Sequence, residues 1–394
     1  MKKVAALAVA LLAAGATAAA AAPRLHASSL RYLGAFRLPA PLGDQQTFDY
    51  GGTAPAFDPR RHGLFIVGHD WYQLTAEVSI PRARKSKRVS KLRSARYLQG
   101  FTDATSGLIN EPPSCCSTKV GGQLVYGGRL FGTVYVYYDA SDSQTTSHWV
   151  RSSTSLRRGR ARGLFQLAGP GAGFVSGFMA EIPRRWRKAL GGSILTGNCC
   201  IPIISRTSFG PAAFALSASG LGRTRITRDR PLFYYPQQHA TLGPWDGSWD
   251  PKRGKLFGGG TQIKGVVFPR NGRSILFFGT QGIGKFCYGE GTDQRSLAGK
   301  PTPDGTTWCY DPDDSSKGTH AYPYVPEVWA YDARQLRRHK KPWQVRPYAT
   351  WRLRLPFGSP KIGGAAYDPR RNVIYVSQQY ADGAAPVIDV FKVL

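Results

Sequence analysis

Short runs of apolar and aromatic residues, separated by turns rich in Gly, Pro, Asp and Asn, recur along the chain. In residues 58–67 the turn DPRRHG precedes the apolar run LFIV, and residues 368–376 repeat this arrangement as DPRRN followed by VIYV. Residues 250–257 and 268–278 carry looser copies. Pro, Asn and Gly favour a turn, and the β-branched and aromatic run behind it favours a strand. The pattern predicts a repeated β-hairpin.

Most copies also have a run of small residues ahead of the turn, as in residues 50–57, 120–126 and 362–367. Gly and Ala within a strand indicate that backbones approach closely, which an innermost strand crowded around a central axis requires. Helical periodicity is weak throughout, with residues 183–190 as the exception. These features predict an all-β protein whose repeats are the inner halves of propeller blades.

The Tyr-Asp-Pro and Phe-Asp-Pro turns before apolar strands resemble those of secreted β-propeller proteins. At about 45 to 60 residues per blade, the resemblance implies a single propeller of six to seven four-stranded blades over residues 23–394. We expect residues 387–393 and 30–36 to share one blade and close the ring. A β-sandwich or a pair of small β domains is the alternative. The resemblance implies no activity, because propellers host many.

The first 22 residues are typical of a secretory signal peptide. Lys2 and Lys3 precede a run of Ala, Val and Leu, and five Ala residues stand before Pro23. The sequence therefore predicts a secreted or periplasmic protein, with a membrane anchor as the alternative interpretation. No later segment is long and apolar enough to predict a transmembrane span.

An exported chain with an even number of cysteines predicts disulfides. The six are Cys115, Cys116, Cys199, Cys200, Cys287 and Cys309. The last two bracket a stretch rich in Gly, Pro and Asp, and we expect them to pin residues 282–326 as a loop insertion over the channel mouth. The adjacent pairs form either strained bridges within each pair or cross-bridges between loops. No Cys or His spacing indicates zinc, so no metal site is predicted.

Loops that follow second strands and precede first strands of propeller blades emerge on one face, around the mouth of the channel. This rule predicts one shared ligand site from residues far apart in the sequence: His69, Asp70, Trp71, Lys119, Tyr138, Arg206, Gln281, His320, Lys361 and Gln379. Lys264 is a further cation of this mouth, and the carboxylates expected there are few. A cationic and aromatic funnel concentrates anions, which favours an anionic carbohydrate as ligand.

The composition agrees with a packed and strongly basic protein. Lys and Arg number 53 against 24 Asp and Glu, for a formal charge of +29, and the 42% hydrophobic content excludes a disordered chain. Residues 82–96 hold eight cations and no acid. Export and the lack of interleaved aromatics argue against a specific nucleic-acid partner. We expect a monomer that binds carbohydrate or another anionic polymer.

Two questions about chemistry stay open at this stage. Candidate acids and bases at the mouth are Asp49, Asp70, Asp139, His69, His239 and His320, but no spacing pairs them, and no catalytic residue is assigned. A polysaccharide lyase or glycoside hydrolase and a cell-surface interaction module are therefore the alternatives to a binding protein. No cofactor is expected, although the Asp-rich residues 309–318 fit either a calcium loop or a solvated turn.

Overall fold

The computed structural model describes residues 22–113, 118–139, 141–198, 206–236, 256–337 and 341–394. In this part of the chain both α-helices are short, Ala172–Val175 and Arg184–Leu190, and the second confirms the helical pattern of residues 183–190. No helix in the described ranges is long and apolar enough to cross a membrane. Short 3-10 helices lie at Ala27–Ser29, Val89–Lys91, Leu108–Asn110, Arg295–Leu297, Gln335–Arg337 and Pro342–Gln344.

Strands dominate, and twenty of them form five antiparallel four-stranded sheets among the described residues, here called blades 1 to 5. From the innermost strand outward, blade 1 consists of Thr53–Asp58, Gly63–Val67, Thr75–Ser79 and Tyr97–Thr102. Blade 2 consists of Thr118–Tyr126, Arg129–Val136, His148–Arg151 and Ala161–Leu167. Blade 3 consists of Met179–Glu181, Ile194–Thr196, Ala213–Leu216 and Asp229–Phe233.

The remaining two blades contain the longest strands. Blade 4 consists of Thr261–Val267, Ser274–Gly282, Tyr324–Asp332 and Ala349–Arg352. Blade 5 consists of Ile362–Asp368, Val373–Asp382, Ala385–Val393 and Leu30–Arg37. Two-residue strands, Ile226–Thr227 and Arg93–Ser94, add parallel edges to blades 2 and 5 respectively.

The five innermost strands form a closed ring, in which each contacts the innermost strand of the blade before it and of the blade after it. This arrangement confirms the predicted all-β propeller. The described part of the chain builds five blades around the ring, whereas the length predicted six to seven. The difference arises because an insertion and long connections between strands use residues that the length estimate assigned to further blades.

The ring closes as the sequence predicted, with the first strand completing the last blade. Leu30–Arg37 pairs antiparallel with Ala385–Val393, from Leu30 opposite Val393 to Arg37 opposite Val387. Phe36 is fully buried against this blade. The first strand thereby satisfies an edge that would otherwise present unpaired backbone groups.

The Asp-Pro turns owe their shape to the Asp side chain. Asp58 accepts a hydrogen bond from the backbone N–H of Arg60 at 2.8 Å, and Asp368 does the same for Arg370 at 2.8 Å. Such Asx contacts, followed by a Pro with a fixed φ, define the turn. The two turns meet on one face, where His62 lies 3.8 Å from Asp368. This face, which holds the turns between first and second strands, is called the turn face below.

Residues between the second and third strands of blade 4 form a separate three-stranded sheet, called the insertion below. Its strands are Trp308–Tyr310, Cys287–Thr292 and Lys317–His320. Cys287 and Cys309 are bonded, with their α-carbons 5.7 Å apart, which confirms the predicted disulfide. Cys115, Cys116, Cys199, Cys200, His239 and nearly all of the predicted signal peptide lie outside the described residues.

Candidate functional site

A cavity of about 270 Å³ opens opposite the turn face, at the mouth of the channel. Innermost strands and loops from different blades line it, together with the insertion. Five of the ten predicted ligand-binding residues line this mouth cavity: Asp70, Lys119, Arg206, Lys361 and Gln379. Gln379 also donates a hydrogen bond to the carbonyl oxygen of Gly51 at 2.8 Å, which joins blade 5 to blade 1 at the mouth.

Three further predicted residues lie in mouth loops without lining the cavity. The ring of His69 packs between those of Tyr50 and Tyr72, with centroids 5.5 and 5.0 Å away. Trp71 follows in the same loop and is 79% exposed. Tyr138 is also exposed, in the loop after the second strand of blade 2. These side chains face solvent around the cavity.

Gln281 and His320 are buried and bonded within the protein. The Oε1 atom of Gln281, a residue only 1% exposed, accepts a hydrogen bond from Thr261 at 2.8 Å. His320 lies inside the insertion, with Nδ1 2.8 Å from Asp311 and Nε2 3.0 Å from the carbonyl oxygen of Ser316. Burial disfavours the imidazolium, but the hydrogen bond and charge of Asp311 outweigh it and raise the pKa of His320. Both side chains therefore stabilise the protein next to the cavity through these hydrogen bonds.

The floor of the mouth cavity is shaped by a β-bulge repeated in the innermost strands. The pairing register of blades 2, 4 and 5 slips at Gly121, Lys264 and Gly363, each an extra residue in its strand. A Cβ atom at Gly121 would lie 1.9 Å from a carbonyl oxygen of Ser176, so that bulge tolerates only glycine. Of these three bulge residues, Lys264 alone has a side chain that can reach a ligand.

Lys264 carries an isolated charge. It lines the mouth cavity and a recess of about 20 Å³ below it, next to Asp70 and Lys119. Its ammonium forms no ion pair or hydrogen bond with any described residue, whereas Lys119 and Lys361 each contact a carboxylate. Burial lowers the pKa of Lys264 to about 8, and the charges of Lys119 and Lys361 add to this effect against the opposing charge of Asp70. An anion next to Lys264 would relieve the repulsion among the three lysines.

Carboxylates around the cavity are engaged with neighbours. Asp70 pairs with Lys119, and Asp314 of the insertion lies 3.5 Å from Lys361. Burial favours protonation of Asp314, but hydrogen bonds from Ser316 and the charge of Lys361 hold its pKa below the usual value. Asp70 and Asp314 thereby fix the ammonium groups of Lys119 and Lys361 on either side of Lys264.

Asp139 stabilises its own loop. It accepts hydrogen bonds from the backbone N–H and hydroxyl of Ser143 at 2.8 Å and from the N–H of Gln144 at 3.0 Å. Burial opposes ionisation, yet these bonds and the charge of Arg206 lower the pKa of Asp139. Together with Asp142 and Asp314, the cavity carries four carboxylates and four cations. This corrects the expectation of few counter-charges, and it makes the unpaired Lys264 the distinctive charge.

Exposed aromatic side chains concentrate around the same cavity. Those of the described residues are Tyr50, Trp71, Tyr72, Tyr137, Tyr138, Tyr288 and Tyr380, from mouth loops, the insertion and the mouth end of a blade 5 strand. The ammonium of Lys119 lies 5.1 Å from the centre of the Tyr137 ring, and that of Lys361 lies 5.3 Å from Tyr380. Such contacts orient the rings beside the cations. An exposed aromatic patch of this kind is typical of a binding surface.

Sequence reasoning missed several residues that line the cavity, including Asp142, Asp314, Thr319 and Tyr324. Asp314 lay in the Asp-rich segment considered for calcium. In the structure the carboxylate of Asp311 lies 2.8 Å from Nδ1 of His320 and accepts a hydrogen bond from the hydroxyl of Tyr324 at 2.7 Å. Tyr324 begins the strand that follows the insertion, and only the return of the chain to blade 4 brings it to the mouth.

No protein-family model matches the chain, and no curated protein matches it in sequence. Three solved structures are similar in fold. An α-L-arabinanase from Cellvibrio cellulosa is 12% identical, with a TM-score of 0.41 over 86% of this chain and 91% of that chain. A luciferin-regenerating enzyme is 8% identical, with a TM-score of 0.37 over 88% and 91%. A chain of the mitotic checkpoint complex is 10% identical, with a TM-score of 0.33 over 100% and 99%. At such values none of the three identifies the ligand of this chain.

Proposed function

We propose that this protein binds a carbohydrate with acidic residues at the mouth cavity. The observation that carries the proposal is the unpaired ammonium of Lys264, held at the cavity floor near Lys119 and Lys361. A partly buried charge without a partner costs free energy, which an anionic group of a ligand would recover. A sugar carboxylate is small enough to reach this floor.

The aromatic surroundings support a sugar rather than a free small anion. Tyr50, Tyr137 and Tyr380 line the cavity itself, and Trp71 and Tyr288 extend the exposed aromatic surface beyond it. Flat apolar rings next to fixed polar groups suit a ligand that has both an apolar ring face and hydroxyl groups. A chain of several sugar units would cover more of this surface than a single unit.

A lyase acting on acidic polysaccharides is the second candidate, and the lowered pKa of Lys264 favours it. A lysine with a pKa of about 8 is partly neutral near physiological pH and can accept a proton. In such a reaction it would take the proton from the carbon next to the sugar carboxylate. The electron pair would form a carbon–carbon double bond as the glycosidic carbon–oxygen bond breaks, and the leaving oxygen would take a proton from water.

The experiment compares oligogalacturonate with the same oligosaccharide after reduction of its carboxylates to alcohols. Affinity is measured by isothermal titration calorimetry at about 150 mM salt. At this salt concentration the attraction between exposed charges is screened beyond about 8 Å. We expect the acidic form to bind at least ten-fold more tightly, a difference of about 1.4 kcal/mol. Ultraviolet absorbance of unsaturated products would assign the lyase, and binding without turnover would assign the binding protein. Equal affinity for both forms would contradict an acid-binding site.

Variants locate the binding within the molecule. Trp71→Ala, Arg206→Ala and Lys361→Ala should each weaken binding of the oligogalacturonate at least about five-fold, by about 1 to 3 kcal/mol. The matched control changes Lys85, Lys87, Arg88 and Lys91 of the basic segment to Ser and should alter affinity by well under about 1 kcal/mol. The opposite ranking would mean that general cationic adhesion carries the affinity.

A further inference from the structure

A second and larger cavity opens on the turn face, away from the mouth. Its volume is about 540 Å³, within the range of cavities that hold small-molecule ligands. Side chains from all five innermost strands line it, including Phe57, Val125, Met179, Val266 and Ala366. Its walls are therefore mainly apolar, in contrast to the charged mouth cavity.

One polar side chain lies deep in these apolar walls. Gln123 of blade 2 lines the cavity and is only 2% exposed. Its amide nitrogen donates to the hydroxyl of Thr75 at 3.3 Å, but its Oε1 atom accepts no hydrogen bond from the described residues. A buried acceptor without a donor is costly, typically by about 1 to 3 kcal/mol. A ligand that carries a hydroxyl group would satisfy it.

Arginines from the repeated turns surround the opening. Arg270 and Arg370 line the cavity, each directly after the Pro of its turn, in blades 4 and 5. Glu181 is the one carboxylate in the lining, and it pairs with Arg187 at 2.9 Å and more distantly with Arg270 at 3.8 Å. The guanidinium of Arg370 is exposed and forms no ion pair with a described residue. The rim is therefore cationic above apolar walls.

We propose that the turn-face cavity binds an amphiphilic carboxylate, with its aliphatic chain between the apolar walls and its acid group at Arg270 and Arg370. The site is separate from the mouth and goes beyond the function proposed for it. Gln123 stands three residues before the end of its strand at Tyr126, which places it about 10 Å inside the rim. A hydroxyl group at the far end of a medium-length chain would reach Oε1 of Gln123.

The test uses decanoate, ω-hydroxydecanoate, decyltrimethylammonium and the short-chain acid butyrate, each titrated calorimetrically into the full chain below its micelle-forming concentration. We expect decanoate to bind about ten-fold more tightly than the cation of the same chain length, because a carboxylate pairs with arginine. The hydroxylated acid should bind several-fold more tightly than decanoate. Equal binding of the cation, or equal binding of butyrate, would overturn the proposal.

Point variants test which residues bind the amphiphile. Arg370→Glu, an exposed change, should weaken decanoate binding about ten-fold, whereas the same charge change at exposed Lys87 should not. Gln123→Leu should remove the preference for the hydroxylated acid while keeping decanoate binding. Lys264→Met should leave decanoate binding unchanged, because it alters the mouth. Loss of decanoate binding in Lys264→Met, or no effect of Arg370→Glu, would place the amphiphile elsewhere.

Discussion

At the scale of the residue, we expect the charge of Lys264 to lower stability and to contact the acidic group of the proposed ligand. Its ammonium is partly buried and unpaired among the described residues, and burial, followed by the like charges of Lys119 and Lys361, lowers its pKa. Lys264→Met keeps the length of the side chain and removes the charge. We expect it to raise the free energy of unfolding by about 1 kcal/mol, because an uncompensated charge disappears from a poorly solvated place.

The same variant should lose affinity for oligogalacturonate at least ten-fold, about 1.4 kcal/mol. Urea unfolding and calorimetric titration of one preparation measure both effects together. Lys85→Met removes an exposed lysine and should change neither quantity appreciably. A Lys264→Met protein that is less stable than the wild type would contradict the cost assigned to this charge.

At the scale of the element, the insertion contributes to the mouth cavity without being part of the ring. Asp314 and Thr319 of the insertion line the cavity, and the Cys287–Cys309 disulfide joins two strands of the insertion sheet. Closing a loop of 22 residues stabilises it by roughly 3 kcal/mol through the entropy of the open chain. We expect the Cys287→Ser, Cys309→Ser double variant to weaken oligogalacturonate binding several-fold.

The five-bladed core should be little affected, because its blades pair without the insertion. Hydrogen exchange should therefore rise in residues 287–320 of the double variant, while the strands of blades 1 and 2 keep their protection. The serine variants are preferable to a reducing agent, because they alter the Cys287–Cys309 bond alone. Equal loss of protection in all blades would show that the insertion is needed for the ring itself.

At the scale of the whole molecule, buried carboxyl groups make stability depend on pH. Burial raises the pKa of Asp389 to about 8, those of Glu77 and Glu327 to about 7, and that of Asp229 to about 6. A raised carboxyl pKa contributes stability that is complete below the unfolded value of about 4 and is lost as pH rises through the folded value. The free energy of unfolding should fall by about 2 kcal/mol or more between pH 4 and 8.

Urea unfolding across this range measures the slope, and Asp389→Asn tests its largest contributor. Asp389 accepts one hydrogen bond, from the hydroxyl of Tyr32 at 3.1 Å, and its other oxygen has no partner among the described residues. Asp389→Asn should therefore flatten the slope, most strongly between about pH 5 and 7, where this carboxyl is protonated in the folded state and ionised in the unfolded state. Tyr32→Phe removes the donor that favours the charged form, so it should steepen the slope. A wild-type protein that becomes more stable as pH rises would contradict this account.

The sequence by itself determined the architecture, because local chemistry fixes each hairpin. Asp58 and Asp368 each bond the backbone of their own turn, and the small residues before them can only form crowded inner strands. The turns and small-residue runs predicted the propeller and the joining of the first and last strands, and the cysteines of an exported chain predicted the Cys287–Cys309 bond. The rule that loops after second strands and before first strands emerge on one face predicted a shared site. Five of the ten candidate residues line one cavity on that face.

Only the tertiary structure decided the number of blades and the charge pattern of the two cavities. Blade number depends on how strands close around an axis, and insertions change the length per blade without leaving a distinct pattern. The isolation of Lys264 results from a one-residue slip of strand register at the bulge, and the approach of Asp314 results from an insertion folding back over the mouth. Both are set by packing between segments far apart in the chain, which spacing along the sequence does not encode.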